Sequence, residues 1–205
     1  PSSIETGCKT VLYAPTGLNG DLRYGPYHDM DDTEYCIKQL QIIECLNSIP
    51  GISVSVKLHP KDHAPNPLSR LINKIGVITV ETSTRISLPD MMNEVDVVLL
   101  DFPTTTLLEA MAMGKRLVYI DLGIMKWTDE GEALIRDTAC WIDASFVWES
   151  DLKDAVTDLL NQSPPEPKNN AFLRDYARID FDSEIIWNEL LESSVDVNVG
   201  KIKSA

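Results

Sequence analysis

Three consecutive threonines, Thr104, Thr105 and Thr106, follow Asp101-Phe102-Pro103 and precede the apolar residues Leu107, Leu108, Ala110 and Met111. A helix starting at this point leaves its first N–H groups without intrahelical partners, and its dipole adds about half a positive charge there. Threonine hydroxyls add further donors, which together make the chemistry of a phosphate site. Two plainer duties fit the same residues. One is an N-cap with two spare β-branched neighbours, and the other is a capping box in which Glu109 reaches back to Thr106 three residues earlier.

A second candidate is Lys57-Leu58-His59-Pro60-Lys61-Asp62-His63, which closes a run of alternating apolar and polar residues. A strand ending there presents His59 to the crevice beyond the sheet, with Lys57 and Lys61 beside it, and Pro60 keeps the histidine's backbone extended. Such a group donates hydrogen bonds to a phosphate or a departing nucleotide; the alternative is a solvated loop with a charged rim. The loop that begins Pro15-Thr16-Gly17-Leu18-Asn19-Gly20 carries neither GxGxxG nor GxxxxGK[ST]. Thr16 and Gly17 therefore read as part of a loop that closes over a ligand or faces a partner domain, with Arg23 and His28 nearby. Asp129, Glu130 and Glu132 either accept ribose hydroxyls or start a helix. No Ser/His/Asp order, zinc-ligand spacing or HExxH is present, so nucleophilic and metal chemistry find no support.

The elements that must position these residues follow from periodicity. Val11-Leu12-Tyr13-Ala14, ended by Pro15, predicts a first strand. From Asp32 the residues Tyr35, Cys36, Leu40, Ile43 and Leu46 keep helical spacing, with Asp31 or Asp32 as cap and Pro50-Gly51 as the stop. Residues 52–58 alternate as a second strand, 67–75 form a short helix, 77–80 a third strand, and Ser87 opens another short helix. The continuous run Val97-Val98-Leu99-Leu100 is the pattern of a strand buried on both faces. Helix 104–113 stopping at Gly114, strand 117–120, helix 129–137 and strand 139–142 come next. Helices over 150–162 (capped by Ser150), 170–178 and 183–194 complete the reading, with 161–170 as a proline-rich connector. Alternating strands and helices predict an α/β fold, a Rossmann-like doubly wound and mostly parallel sheet, in one domain over 1–195 with a frayed tail at 196–205. In such sheets ligands bind beyond the carboxyl ends of the strands, which directs attention to the loops at 15–31, 59–66, 81–87, 101–106 and 121–131.

Bulk properties remove whole classes of function. The chain has 205 residues and a formal net charge of −14, which argues against nucleic acid or an anionic membrane as a partner of the whole surface. No apolar window is long enough to span a bilayer, and PSSIETGCKT has neither the basic start nor the apolar core of a leader. The first residue is Pro1 and not Met, which fits either a cut fragment or an excised domain and leaves a natural half-protein open. The four cysteines, Cys8, Cys36, Cys45 and Cys140, show no metal spacing and favour a reduced, cytoplasmic setting, with Cys36 and Cys45 packed as small hydrophobes.

YAPT after the first strand, a strand ending KLHP, and a late strand followed by a hydroxyl cluster, an LEA helix and a GK-apolar strand together resemble the C-terminal half of GT-B transferases. Over residues 10–135 the chain is most similar to CDP-glycerol glycerophosphotransferases and to bacterial capsule Kdo- or sialic-acid-transferring enzymes. The resemblance implies that His59 and Pro60 act on the donor's phosphates and the leaving nucleotide, and Lys57 and Lys61 beside them are expected to add positive charge there. It also implies that Thr104, Thr105 and Thr106 hold those phosphates, and that Glu109, with Thr16 and Gly17, contacts the nucleotide or its ribose. The motif departs from the family in reading DFPTTT where a DYSS-like sequence is usual. The implied partners are a nucleotide-activated sugar or glycerol donor, favouring CMP or CDP, a polysaccharide or lipid-linked acceptor, and a missing N-terminal domain that supplies the acceptor's base. No metal or other cofactor is implied. The expected function is donor binding in a glycosyl- or glycerophosphotransferase of capsule, O-antigen or teichoic acid synthesis, in the cytoplasm or at the inner face of the membrane through the full-length protein. The alternatives are a UDP-sugar 2-epimerase-like domain and a non-catalytic nucleotide-binding module.

Overall fold

Four apolar residues in a row, Val97–Leu100, are buried on both sides at the centre of the molecule, and the rest of the sheet is arranged around them. The computed structural model describes residues 8–18, 30–59, 67–75, 79–81, 86–145 and 147–162. The chain divides into two compact units, Pro1–Lys168 and Asn169–Ala205, and all described residues belong to the first. The expected helices at 170–178 and 183–194, and the expected boundary at 195–196, lie outside the described residues.

The elements run β1 (Lys9–Tyr13), α1 (Asp32–Asn47), β2 (Ile52–Lys57), α2 (Pro67–Ile75), β3 (Thr79–Glu81), α3 (Leu88–Asn93), β4 (Val97–Leu100), α4 (Thr105–Ala112), β5 (Arg116–Asp121), α5 (Asp129–Arg136), β6 (Cys140–Asp143) and α6 (Glu149–Asn161). The six strands form one sheet in the order β3-β2-β1-β4-β5-β6, and every pairing is parallel. This is the expected Rossmann-like, doubly wound architecture. After the edge strand β3 the chain returns across the sheet and pairs β4 with the other side of β1, so the strand order reverses between β1 and β4.

Side-chain alternation sorts the core into two layers. Val11 and Tyr13 of β1, Val97 and Leu99 of β4, and Val118 and Ile120 of β5 share one cluster with Ile42, Ile43 and Leu46 of α1, Leu68 and Ile72 of α2, and Leu152 and Val156 of α6. The intervening residues Leu12, Val98, Leu100, Leu117 and Tyr119 are equally buried. They serve the opposite face, where α3, α4 and α5 bring Met92, Leu107, Ala110, Met111 and Ile135. Cys36 and Cys45 are buried and unbridged in the first layer, as their helical spacing predicts.

Caps fall close to the sequence signals. Asp31 caps α1 by accepting from the Thr33 N–H, Ser87 caps α3 and Thr128 caps α5. Gly51, in the turn that leads into β2, has φ +78°, a backbone that L side chains rarely adopt. One boundary moves: α6 starts at Glu149 with no side-chain cap, so Ser150 is not the cap. The residue before the helix is Trp148, 3% exposed, and burial of its indole fixes where the helix begins. Of the expected strand 77–80, residues 77 and 78 lie outside the described residues and β3 extends to Glu81, while β6 is offset by one residue from 139–142. Among the described residues no helix is long and apolar enough to cross a membrane.

Leu99 sits fully buried on the central strand, in the layer beneath α1 and α6. Leu99→Ala is expected to cost about 2–5 kcal/mol, because the close-packed surroundings cannot collapse into the space left. A lower urea midpoint with an unchanged denaturant slope is the expected measurement.

Candidate functional site

The reversal between β1 and β4 opens a cleft of about 420 Å³ at the carboxyl ends of the strands. Its walls are residues 14–16 after β1, 57–59 at the end of β2, 86–88 at the start of α3, and Phe102 with 104–106 after β4. Four of the five loops marked out by the sequence therefore converge, and the loop at 121–131 does not line the cleft.

Thr104 is the N-cap of α4, and its hydroxyl oxygen accepts from the Thr106 N–H at 3.3 Å. The Leu107 N–H reaches the Thr104 carbonyl at 3.0 Å. This start rules out the expected capping box, since Leu107 and not Glu109 stands three residues after the cap. Thr105, in the first helical position, is exposed, and all three threonines line the cleft. His59 is half-buried on the facing wall, and Thr16 lines the third side. Lys57 is 6% exposed, and its ammonium donates to the Ile86 carbonyl at 2.9 Å, fastening the entry to α3 against the end of β2.

The remaining predicted residues separate. Gly17 is buried and does not line the cleft, and Glu109 is exposed on α4 away from its lining. Pro60, Lys61, Arg23 and His28 lie outside the described residues. Asp129 and Glu130 open α5, so of their two readings the helix start is the one realised. Among the described residues no group of His, Cys, Asp and Glu is placed to hold a metal ion.

Two features of the site went unread in the sequence. The first is its charge: in a chain with 32 Asp and Glu, no carboxylate is among the described residues that line the cleft. The second lies under the floor. The buried polar or charged side chains among the described residues are Gln39, Lys57 and Asp101, and all three bear on the rim of this cleft. Asp101 Oδ2 accepts from the Tyr13 hydroxyl at 2.5 Å and from Gln39 Nε2 at 3.3 Å, while Oδ1 accepts from the Thr16 N–H at 3.1 Å. Gln39 Nε2 also donates to the Thr16 carbonyl at 3.0 Å. The available signal was Asp101 itself, a carboxylate placed directly after four fully buried residues, where it must find donors inside the protein.

No protein-family model matches the chain, and no curated protein is similar enough to match it. Several solved structures are similar to it at low identity. The spinosyn forosaminyltransferase SpnP is 15% identical over 73% of this chain and 34% of its own, with a TM-score of 0.44. WaaG, a glycosyltransferase involved in lipopolysaccharide biosynthesis, is 15% identical over 77% of this chain and 40% of its own, with a TM-score of 0.47. ALG13 is 12% identical over 81% of this chain and 94% of its own, also with a TM-score of 0.47. The chain thus spans 34% and 40% of the first two structures. The fold rests on the strand order and pairing described above, and the reading of the site on its own geometry.

Burial pushes the Asp101 carboxyl above its ordinary 3.8, against the opposing pull of the hydrogen bonds from Tyr13, Thr16 and Gln39. A carboxyl with a raised folded pKa binds its proton more tightly folded than unfolded. Its contribution to stability is therefore fullest below 3.8 and is lost as pH rises through the higher folded value. Urea midpoints from pH 3 upward should show wild type losing stability relative to Asp101→Asn across that window, with the difference constant above it. A difference that does not change with pH would exclude the raised pKa.

Proposed function

We propose that this chain is the nucleotide-donor-binding domain of a glycosyl- or glycerophosphotransferase of the GT-B kind. The observation that carries the reading is the meeting of a hydroxyl-lined helix start, His59 and Thr16 in one cleft, with no carboxylate among its described lining, where the strand order reverses. The motif resemblance in the sequence supports the same reading. The start of α4 receives the donor's phosphate, with the helix dipole, first-turn N–H groups and threonine hydroxyls as donors. Lys57 adds positive charge from the wall while its ammonium holds residues 86–88 in place.

Both reactions that fit the resemblance place charge at the same atoms. In glycosyl transfer the acceptor hydroxyl attacks the sugar's anomeric carbon, and the bond to the nucleotide phosphate oxygen breaks. In glycerophosphate transfer the hydroxyl attacks phosphorus, and the bond to the leaving nucleotide's oxygen breaks. Either way the electron pair stays on the nucleotide phosphate, and the acceptor's proton passes to a base supplied from outside this domain. Donors fixed beforehand around that phosphate lower the barrier because they need no reorganisation as charge develops. His59 is the residue we assign to the leaving phosphate. The proposal extends to cytidine nucleotides as donors and to surface polysaccharide or a lipid-linked precursor as acceptor, for which the motif resemblance is the support. It leaves Glu109 and Gly17 without a ligand contact.

The test is a calorimetric titration of CMP, CDP, UMP, UDP, GDP and ADP into the chain, repeated with Thr105→Ala and His59→Ala. The expected result is selective binding of one nucleotide, weakened about tenfold or more by each substitution, in line with the roughly 1.5–3 kcal/mol of a hydrogen bond to a charged group. Binding that both variants retain unchanged would exclude this cleft as the donor site.

A further inference from the structure

The peptide units that flank and include Thr16 are held from both directions by buried side chains. The Thr16 N–H donates to Asp101 Oδ1 at 3.1 Å, and the Thr16 carbonyl accepts from Gln39 Nε2 at 3.0 Å. The same Gln39 amide donates to Asp101 Oδ2 at 3.3 Å, so the two side chains and the Thr16 backbone close a ring of contacts. Asp101 and Gln39 are each 1% exposed. They come from different parts of the fold: Gln39 from the middle of α1, and Asp101 from the residue directly after β4.

Alternation along β4 turns Asp101 toward the α1 layer, whereas the chain that follows it enters α4 on the opposite face. Asp101 thus stands where the backbone passes from one side of the sheet to the other. Fixing it fixes the origin of the Phe102–Thr104 turn as well as the Thr16 backbone. The part-buried Thr16 N–H and carbonyl need partners, but a neutral acceptor would satisfy the N–H at a lower desolvation cost than a fully buried carboxylate. The residue that Asp101 and Gln39 hold lines the same cleft as the start of α4, from the loop after the neighbouring strand β1.

We propose that Asp101 and Gln39 are positioning residues, which lock the Thr16 backbone in register with the Thr104–Thr106 helix start so that the two neighbouring loops meet one ligand phosphate. This assignment rests on the donor-site reading above. Neither side chain touches the ligand; each acts through Thr16. Tyr13, which donates to Asp101 Oδ2, adds a further donor to the carboxylate.

The experiment measures amide hydrogen exchange at residues 15–17 and affinity for CDP, in wild type, Asp101→Asn, Gln39→Met and, as a control for general destabilisation, Ile135→Val. Asparagine keeps the volume of Asp101 but removes its charge, which weakens the bond from the Thr16 N–H, and it sets an NH2 group against either that N–H or the Gln39 amide; methionine keeps the length of Gln39 and removes its donors. The expected result is at least about tenfold faster exchange at the Thr16 amide in Asp101→Asn and at least about threefold in Gln39→Met, as for a buried hydrogen bond lost or weakened. CDP affinity falls about fivefold or more in both, and Ile135→Val changes neither. If Asp101→Asn does not fold, Gln39→Met carries both measurements. Unchanged exchange at Thr16 in a folded variant overturns the assignment, as does faster exchange with CDP affinity equal to that of wild type. Absence of CDP binding by wild type, with another nucleotide bound, moves the affinity arm to that nucleotide. If none of the nucleotides binds at millimolar concentration, the donor-site reading falls and this assignment falls with it.

Discussion

A carboxylate sealed from water among neutral hydrogen-bond donors is the constraint on which this architecture turns. Asp101 is bound by a phenol, a primary amide and a backbone N–H, from β1, α1 and the loop after β1. Removing a charge or a strong dipole from water is costly unless its acceptor sites are filled. The three elements must therefore keep their relative positions for the carboxylate to remain satisfied. Burial also drives the Tyr13 hydroxyl well above its ordinary value, with the Asp101 charge adding to the effect, so this phenol stays a donor across the physiological range. The network converts a requirement of solvation into a requirement of geometry, at the one place in the sheet where two loops diverge to opposite faces.

For an acidic chain, the proposed anion site poses a local problem against the overall charge. The formal net charge is −14, yet the described lining of the cleft includes hydroxyls, a histidine and a nearly buried lysine. At physiological ionic strength charges on the outer surface are screened beyond about 8 Å. What a phosphate meets in the cleft is then set by the groups within that distance, among which the start of α4 contributes partial positive charge without any ionisable side chain. An acidic exterior disfavours nonspecific contact with polyanions, and it is compatible with a single anion site.

Much of this was legible in the sequence, for reasons that differ from element to element. Val97–Leu100 declared itself because a strand covered on both faces must be apolar throughout. The starts of α1 and α4 were readable from Asp31 and the threonines, since short polar side chains satisfy first-turn N–H groups directly. Thr16, His59 and Thr104–Thr106 could be gathered at one end of the sheet because parallel strands place their carboxyl ends together. The role of Asp101 was not legible, because its partners lie 62 to 88 residues away and only the folded chain brings them to it. Glu109 misled for a local reason. Its offset of three from Thr106 makes a capping box only if Thr106 is the cap, whereas the actual cap, Thr104, puts Leu107 in the position that a glutamate would need to occupy.

The sheet order also governs how the molecule is made. β1 is the first of the six strands to be synthesised, but it lies at the centre, and its second neighbour is β4. Thr10 and Asp96, which exchange hydrogen bonds beside that pairing, are 86 residues apart in sequence. At about 5–20 residues per second a ribosome takes roughly 4–17 s to traverse that interval. Throughout it, one edge of an apolar strand has no partner, while β2 can already pair on the other side. Closure of the long loop between them comes late and is entropically demanding. The nascent chain is therefore most open to wrong strand pairing before β4 emerges, and the cleft, which needs the ends of both β1 and β4, is among the last features to exist.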